Sequence, residues 1–176
     1  MALADDIHIR VSGMAGRITL TRPQALNAMT YDMCMEIGEA LSDWEANDAV
    51  KLVIIDAEGE RSFCSGGDIA DLYATGKAGD FAYGRKFWAD EYRVNAQIRN
   101  YPKPFVAIMD GIVMGGGVGI SAHGSHRIVT ENTLFAMPEC GIGLVPDVGG
   151  NWLLSRAPGH VGEYLATTGA RLKAAD

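Results

Sequence analysis

FVAIMDGIVMGGGVG, residues 105–119, sets the frame for the rest of the chain. Phe105–Met109 is a short, continuous apolar run with branched side chains, as expected for a strand buried on both faces of a sheet. Asp110-Gly111 breaks the run. Residues 111–122 then read as a glycine loop entering an apolar helix, with Gly115-Gly116-Gly117-Val118-Gly119 at the turn. A strand, a glycine-rich turn and a helix start, in that order, belong to a parallel crossover unit.

The same pattern stands upstream. Lys51–Ile55 is another short apolar run; it leads into a loop over 58–67 that ends Phe63-Cys64-Ser65-Gly66-Gly67, and Asp68 is placed to cap a short helix. Residues 75–80 form a small connector, and residues 81–100 read as a longer helix delimited by Pro102 and Pro104. At the N-terminal side, residues 7–11 and 17–20 alternate around Ser12–Gly16 as a hairpin. Residues 30–46 then place Met33, Ile37, Leu41 and Trp44 on one helical face. Downstream come strands at 127–130 and 133–136, a loop over 137–150 and helical segments at 151–156 and 160–168. Strands alternating with helices predict an α/β fold with parallel pairing, in a single domain over residues 1–176. The tail Arg171–Asp176 shows no closing element, and the chain reads as the N-terminal portion of a longer domain.

Composition excludes several classes. The 176 residues are 48% hydrophobic and 21% charged, which suits a folded domain with a sizeable core. Net charge is −7 and no basic block is interleaved with aromatics, so a nucleic-acid surface is not expected, and no uninterrupted apolar run is long enough to span a bilayer. The opening MALADDIHIRV lacks the layout of a secretory signal, and Cys34, Cys64 and Cys140 form no CxxC pair. Both point to a reducing, cytoplasmic setting without zinc. No GxGxxG in a strand–helix context and no GxxxxGK[ST] is present, which argues against nicotinamide and nucleotide-hydrolase chemistry. No cofactor is expected.

The candidate chemistry concentrates in residues 132–155, where Glu139 and Asp147 are the only charged residues among Met137, Pro138, Ile142, Leu144, Val145, Pro146 and Val148. Apolar surroundings destabilise a carboxylate and raise its pKa toward the range of a working acid or base. The plain structural alternatives are that Asp147 caps the helix beginning near Val148 and that Glu139 holds a turn. The glycine loops at 66–67 and 115–117 offer backbone amides that could form an oxyanion hole, or could simply allow close helix–strand packing. Glu91 interrupts the apolar stripe Phe87–Val94–Ile98 and is expected to reach a pocket rather than an arginine. His123 and His126 lack a ligand cluster and read as satisfied or exposed histidines. Cys64 and Cys140 read as small packing residues.

Taken in order, Arg22-Pro23-Gln24-Ala25-Leu26-Asn27-Ala28, Phe63–Ile69, Gly111 with Met114–Gly119, and Met137-Pro138-Glu139 through Gly149-Gly150 resemble the enoyl-CoA hydratase/isomerase (crotonase) superfamily over nearly the whole chain. The resemblance implies a crotonase-like spiral of β-β-α repeats, followed in the family by a C-terminal helical region that supports trimers or hexamers. Phe87–Asn95, Met114–Gly119 and Met137-Pro138-Glu139 with Val145–Gly150 are most similar to its 3-hydroxyisobutyryl-CoA hydrolase branch, which implies thioester hydrolysis in valine catabolism with acyl-CoA as the substrate. On that likeness Gly67 and Gly116 donate the oxyanion-hole amides, Glu139 is nucleophile or general base, and Asp147 is its acidic partner. Glu91 contacts the substrate, and Ala25, Gly66, Asp68 and Ile69 lie along the coenzyme A channel.

One departure separates the branches. Hydratases of the family carry a glutamate two residues after the glycine triplet, where this chain has Gly119. The alternatives to hydrolysis are therefore a hydratase or isomerase working with one acid fewer, and an acyl-CoA-binding module without turnover.

Overall fold

The computed structural model describes residues 6–176. Met1–Asp5, part of the stretch read as lacking a signal layout, lie outside the described residues. β1 (Ile7–Ser12) and β2 (Ala15–Leu20) pair antiparallel across a turn of two residues, tighter than the sequence suggests. α1 (Tyr31–Glu45) starts at Thr30, whose side chain accepts from the Met33 amide, and buries the expected Met33, Ile37, Leu41 and Trp44. β3 (Leu52–Ala57) then returns parallel to β2.

Each of the next repeats splits its strand in two. β4 (Ser62–Cys64) follows β3, β6 (Ile112–Met114) follows β5 (Phe105–Met109), and β8 (Leu134–Ala136) follows β7 (His126–Val129). The first strand of each pair joins a five-stranded sheet, β1-β2-β3-β5-β7, and the second joins a four-stranded sheet, β4-β6-β8-β9. This is the expected α/β spiral. β4 and β6 fall where the sequence predicts loop, because three-residue strands are too short to show a period of two. β9 (Leu172–Lys173) pairs antiparallel with β8, so the tail does contribute a closing element.

α2 (Ile69–Lys77) and α3 (Phe81–Arg99) connect β4 to β5, capped by Asp68 and Asp80 through the amides of Ala70 and Ala82. α4 (Gly116–Gly119) is a single turn, and α5 (Gly150–Leu154) and α6 (Val161–Thr168) follow the acid-bearing loop. The expectation that β3 and β5 are buried on both faces holds for one face only. Val53, Ile55, Phe105, Ala107 and Met109 are in the core, whereas Leu52, Ile54, Val106 and Ile108 are half-buried. An apolar run alone does not reveal which face is covered.

Candidate active site

The cavity of interest, about 750 Å³, opens beyond the carboxyl ends of β4 and β6. Its walls include Gly66, Gly67, Gly115, Gly116, Glu91, Glu139 and Asp147, so residues far apart in sequence meet at one place.

One wall is backbone. Residues 22–29 act as a clamp on the first glycine loop: the Asn27 carboxamide is fully buried and donates to the carbonyls of Glu58 (2.9 Å) and Ser62 (2.8 Å). The Met29 amide donates to Gly66 O (2.8 Å), the Asp68 amide to Met29 O (2.8 Å), and Arg22 pairs with Asp68 at 3.1 Å. Gly66 sits at φ +122°, a conformation that favours glycine. Neither the Gly67 nor the Gly116 amide donates to a turn, loop or cap acceptor among the described residues. The two lie close together, since a Cβ built on Gly116 would stand 3.0 Å from the Gly67 nitrogen. Gly117 serves packing instead, its missing Cβ leaving room for the Cys64 carbonyl. Both readings of the triplet therefore hold, each for a different glycine.

The facing wall is acidic. Glu139, 6% exposed, starts a 3-10 turn (Glu139–Ile142) that follows β8 after Met137 and Pro138, and a Cβ on Gly115 would lie 3.0 Å from its Oε1. Glu91, 3% exposed, comes down from α3, and its Oε1 lies 2.8 Å from the position of a Gly116 Cβ. No arginine or lysine pairs with Glu91 among the described residues, as its place in the apolar stripe predicts. Burial pushes the Glu139 carboxyl up to about 7, against an opposing hydrogen bond from its own amide and with a further push from Asp147. Burial pushes Glu91 higher, to about 8, helped by the negative charges of Asp147 and Glu139. Glu139 Oε2 is buried without a hydrogen-bond partner. Asp147 is half-buried and accepts a 2.7 Å hydrogen bond from the Tyr92 hydroxyl.

Asp147 does not cap α5. That position belongs to Gly149, with no side-chain cap bond, and the Asp147 carboxylate is left for the cavity. Asp68 does cap α2, and it also lines the cavity with Ile69. Ala25 lies in the 3-10 turn Pro23–Ala25 outside this cavity, and Ala28 is the residue of that segment that reaches it. Tyr92 has no signal of its own in the sequence; only its place beside Glu91 marks it. Phe87, Trp88, Leu72, Tyr73, Ile142 and Leu144 supply apolar surface. Cys64 is fully buried, and desolvation pushes its thiol up to about 12, in keeping with a packing role.

Gly119, the position that separates the family branches, has no space for a side chain. A Cβ there would stand 2.8 Å from Asn95 Nδ2 and 2.8 Å from Val148 Cβ. The other carboxylates that line the cavity with Glu139 are Glu91, from α3, and Asp147, from the acid loop.

The family described as Enoyl-CoA hydratase/isomerase matches residues 15–176. The mitochondrial 3-hydroxyisobutyryl-CoA hydrolase of Xenopus tropicalis is 53% identical over 165 residues, covering 94% of this chain and 43% of that protein. Its counterpart in Danio rerio is 51% identical over 164 residues, covering 93% of this chain and 43% of that protein. Among solved structures, an enoyl-CoA hydratase from Rhodobacter sphaeroides 2.4.1 superposes with a TM-score of 0.96 at 56% identity, covering 97% of this chain and 51% of that one. A carnitinyl-CoA dehydratase from Mycobacterium thermoresistibile superposes with a TM-score of 0.95 at 53% identity, covering 98% and 50%. The chain spans less than half the length of these curated relatives.

Proposed function

The chain belongs to the enoyl-CoA hydratase/isomerase family, and from that premise we propose that its cavity hydrolyses an acyl-CoA thioester, with 3-hydroxyisobutyryl-CoA as the substrate. The observation that carries this reading is the meeting of two uncommitted amides, Gly67 and Gly116, with a carboxyl group at Glu139 in one apolar cavity. The thioester carbonyl lies against those amides, which stabilise the charge developing on its oxygen; a donor of this kind is worth about 3 kcal/mol to a transition state.

Two routes use the same groups. In one, Glu139 attacks the carbonyl carbon, the carbon–sulfur bond breaks, and water hydrolyses the resulting mixed anhydride. In the other, Glu139 takes a proton from water as the water attacks. In both, Asp147 manages the proton at the leaving sulfur or at the incoming water, with Tyr92 holding its orientation, and Glu91 meets the acyl end of the substrate. Ionised Glu139 is the active form, so turnover rises as pH passes through about 7.

Hydration is the second reading, because solved relatives carry hydratase names. The filled space at Gly119 weighs against it, since the usual first glutamate has no room there. The test is free-thiol release from 3-hydroxyisobutyryl-CoA measured beside hydration of crotonyl-CoA. Thiol release alone supports hydrolysis, hydration alone overturns it, and coenzyme A binding with neither activity favours a binding module. We also propose homo-oligomer formation and a reducing, cytoplasmic location. They rest on the family assignment and on cysteines that are all free, and light scattering tests the first.

A further inference from the structure

Asp147 is followed by a strained residue. Val148 is β-branched, yet it sits at φ +45°, and Gly149 continues the left-handed path at φ +74°. A non-glycine residue is strained there and persists only where its surroundings hold it. Two contacts do so. The Val148 side chain packs against Gly119, and its carbonyl meets His123 Nε2 at 2.7 Å.

A carbonyl only accepts, so Nε2 carries the hydrogen, and Nδ1 is the acceptor nitrogen, buried and without a partner. His123 is 6% exposed, and the Nε2–Cε1 edge of its ring abuts Gly149, where a Cβ would stand 2.6 Å from Nε2. His123 is absent from the walls of the substrate cavity. It stands on the turn that continues α4, so the element whose first residue offers the Gly116 amide also grips the loop that carries Asp147.

We propose that His123 is a positioning residue for Asp147, acting through the Val148 carbonyl to hold a strained loop with its carboxylate in the cavity. The inference rests on the role given to Asp147 above. Loss of the Nε2 donor lets Val148 relax, which turns the preceding peptide and takes the Asp147 carboxylate off its bond with Tyr92.

The experiment is a double-mutant cycle in the whole chain, reading kcat and KM for thiol release. His123→Phe keeps ring volume and loses the donor, and is expected to lower kcat by about 10- to 100-fold with KM little changed. His123→Gln keeps a donor near Nε2 and restores most of that loss. In an Asp147→Asn background, His123→Phe has almost no further effect, because the group it positions is already disabled. Equal losses in both backgrounds, or no restoration by Gln, overturn the proposal. Wild-type turnover in His123→Phe with a large loss in Asp147→Asn overturns this inference alone. Full turnover in Asp147→Asn overturns the underlying reading and this one with it. If His123→Phe does not fold, His123→Ala, which adds no bulk, is read in the same way.

Discussion

Gly67 and Gly116 present their amides to the same cavity from two strand-to-helix turns that are held in different ways. The first turn is braced from outside, by Asn27, Met29 and Arg22, and it leads into α2, a helix with no buried residue. The second is braced by close packing: all four residues of α4 are buried, with Gly116 against Gly67 and Glu91, Gly117 against Cys64, and Gly119 against Asn95 and Val148. The same chemical group is thus supported once by hydrogen bonds from a distant segment and once by the absence of side chains. The first arrangement tolerates bulk at the donor, and the second does not.

Substitutions at the glycines break or sharpen that contrast. The largest effect belongs to Gly117→Ala, whose Cβ meets the Cys64 carbonyl, a backbone atom with no freedom to move aside. A loss of about 3 kcal/mol in urea unfolding is expected; a loss under about 0.5 kcal/mol would mean that α4 is not held by packing. Next comes Gly116→Ala, which pushes on the Glu91 carboxyl and on the Gly67 amide. On the proposed mechanism, misplacement of the two amides on this scale lowers kcat by about 100-fold while the chain stays folded.

Glu91 belongs to the second turn through its contact with Gly116, and its effect is read in pH. Its folded pKa, about 8, lies above the ordinary 4.5, so the folded state holds the proton more tightly than the unfolded chain. That contribution to stability is complete below about pH 4.5 and is lost as pH rises through about 8. Glu91→Gln removes the titration, so its unfolding midpoint relative to the parent chain rises between about pH 5 and pH 8. A gap independent of pH would contradict the burial assigned to Glu91. The smallest effect belongs to Gly67→Ala, whose Cβ meets only the Phe87 ring at 3.7 Å, an ordinary contact. Stability is expected within about 0.5 kcal/mol of the parent, with kcat changed far less than by Gly116→Ala.

What the sequence could and could not disclose follows from the same difference. Long periodic elements were legible: the face of α1 from Met33 to Trp44 and the Phe87–Ile98 stripe of α3 are buried as their spacing predicts. β4 and β6 were not, because three residues carry no period and their pairing is set by partners far along the chain. At the site, Glu139 and Asp147 stood out as lone charges in an apolar stretch, and Glu91 as a break in a stripe. The Tyr92 hydroxyl and the His123 ring carry no such mark. Each makes one hydrogen bond to a loop more than 20 residues away in sequence, 55 for Tyr92 and 25 for His123. The grip of Asn27 and Arg22 on the first glycine loop was equally hidden, since only the fold brings residues 22–29 against 58–68.

The central claim is that two acids face two amides across one cavity and that Glu139 performs the chemistry there. Its most direct test pairs thiol release from 3-hydroxyisobutyryl-CoA with calorimetric binding of coenzyme A, in the parent chain and in Glu139→Gln and Asp147→Asn. The account predicts that both variants bind coenzyme A as the parent does, that Glu139→Gln releases no thiol above background, and that Asp147→Asn keeps only a small, measurable fraction of the parent rate. Thiol release at the parent rate in both variants would contradict it.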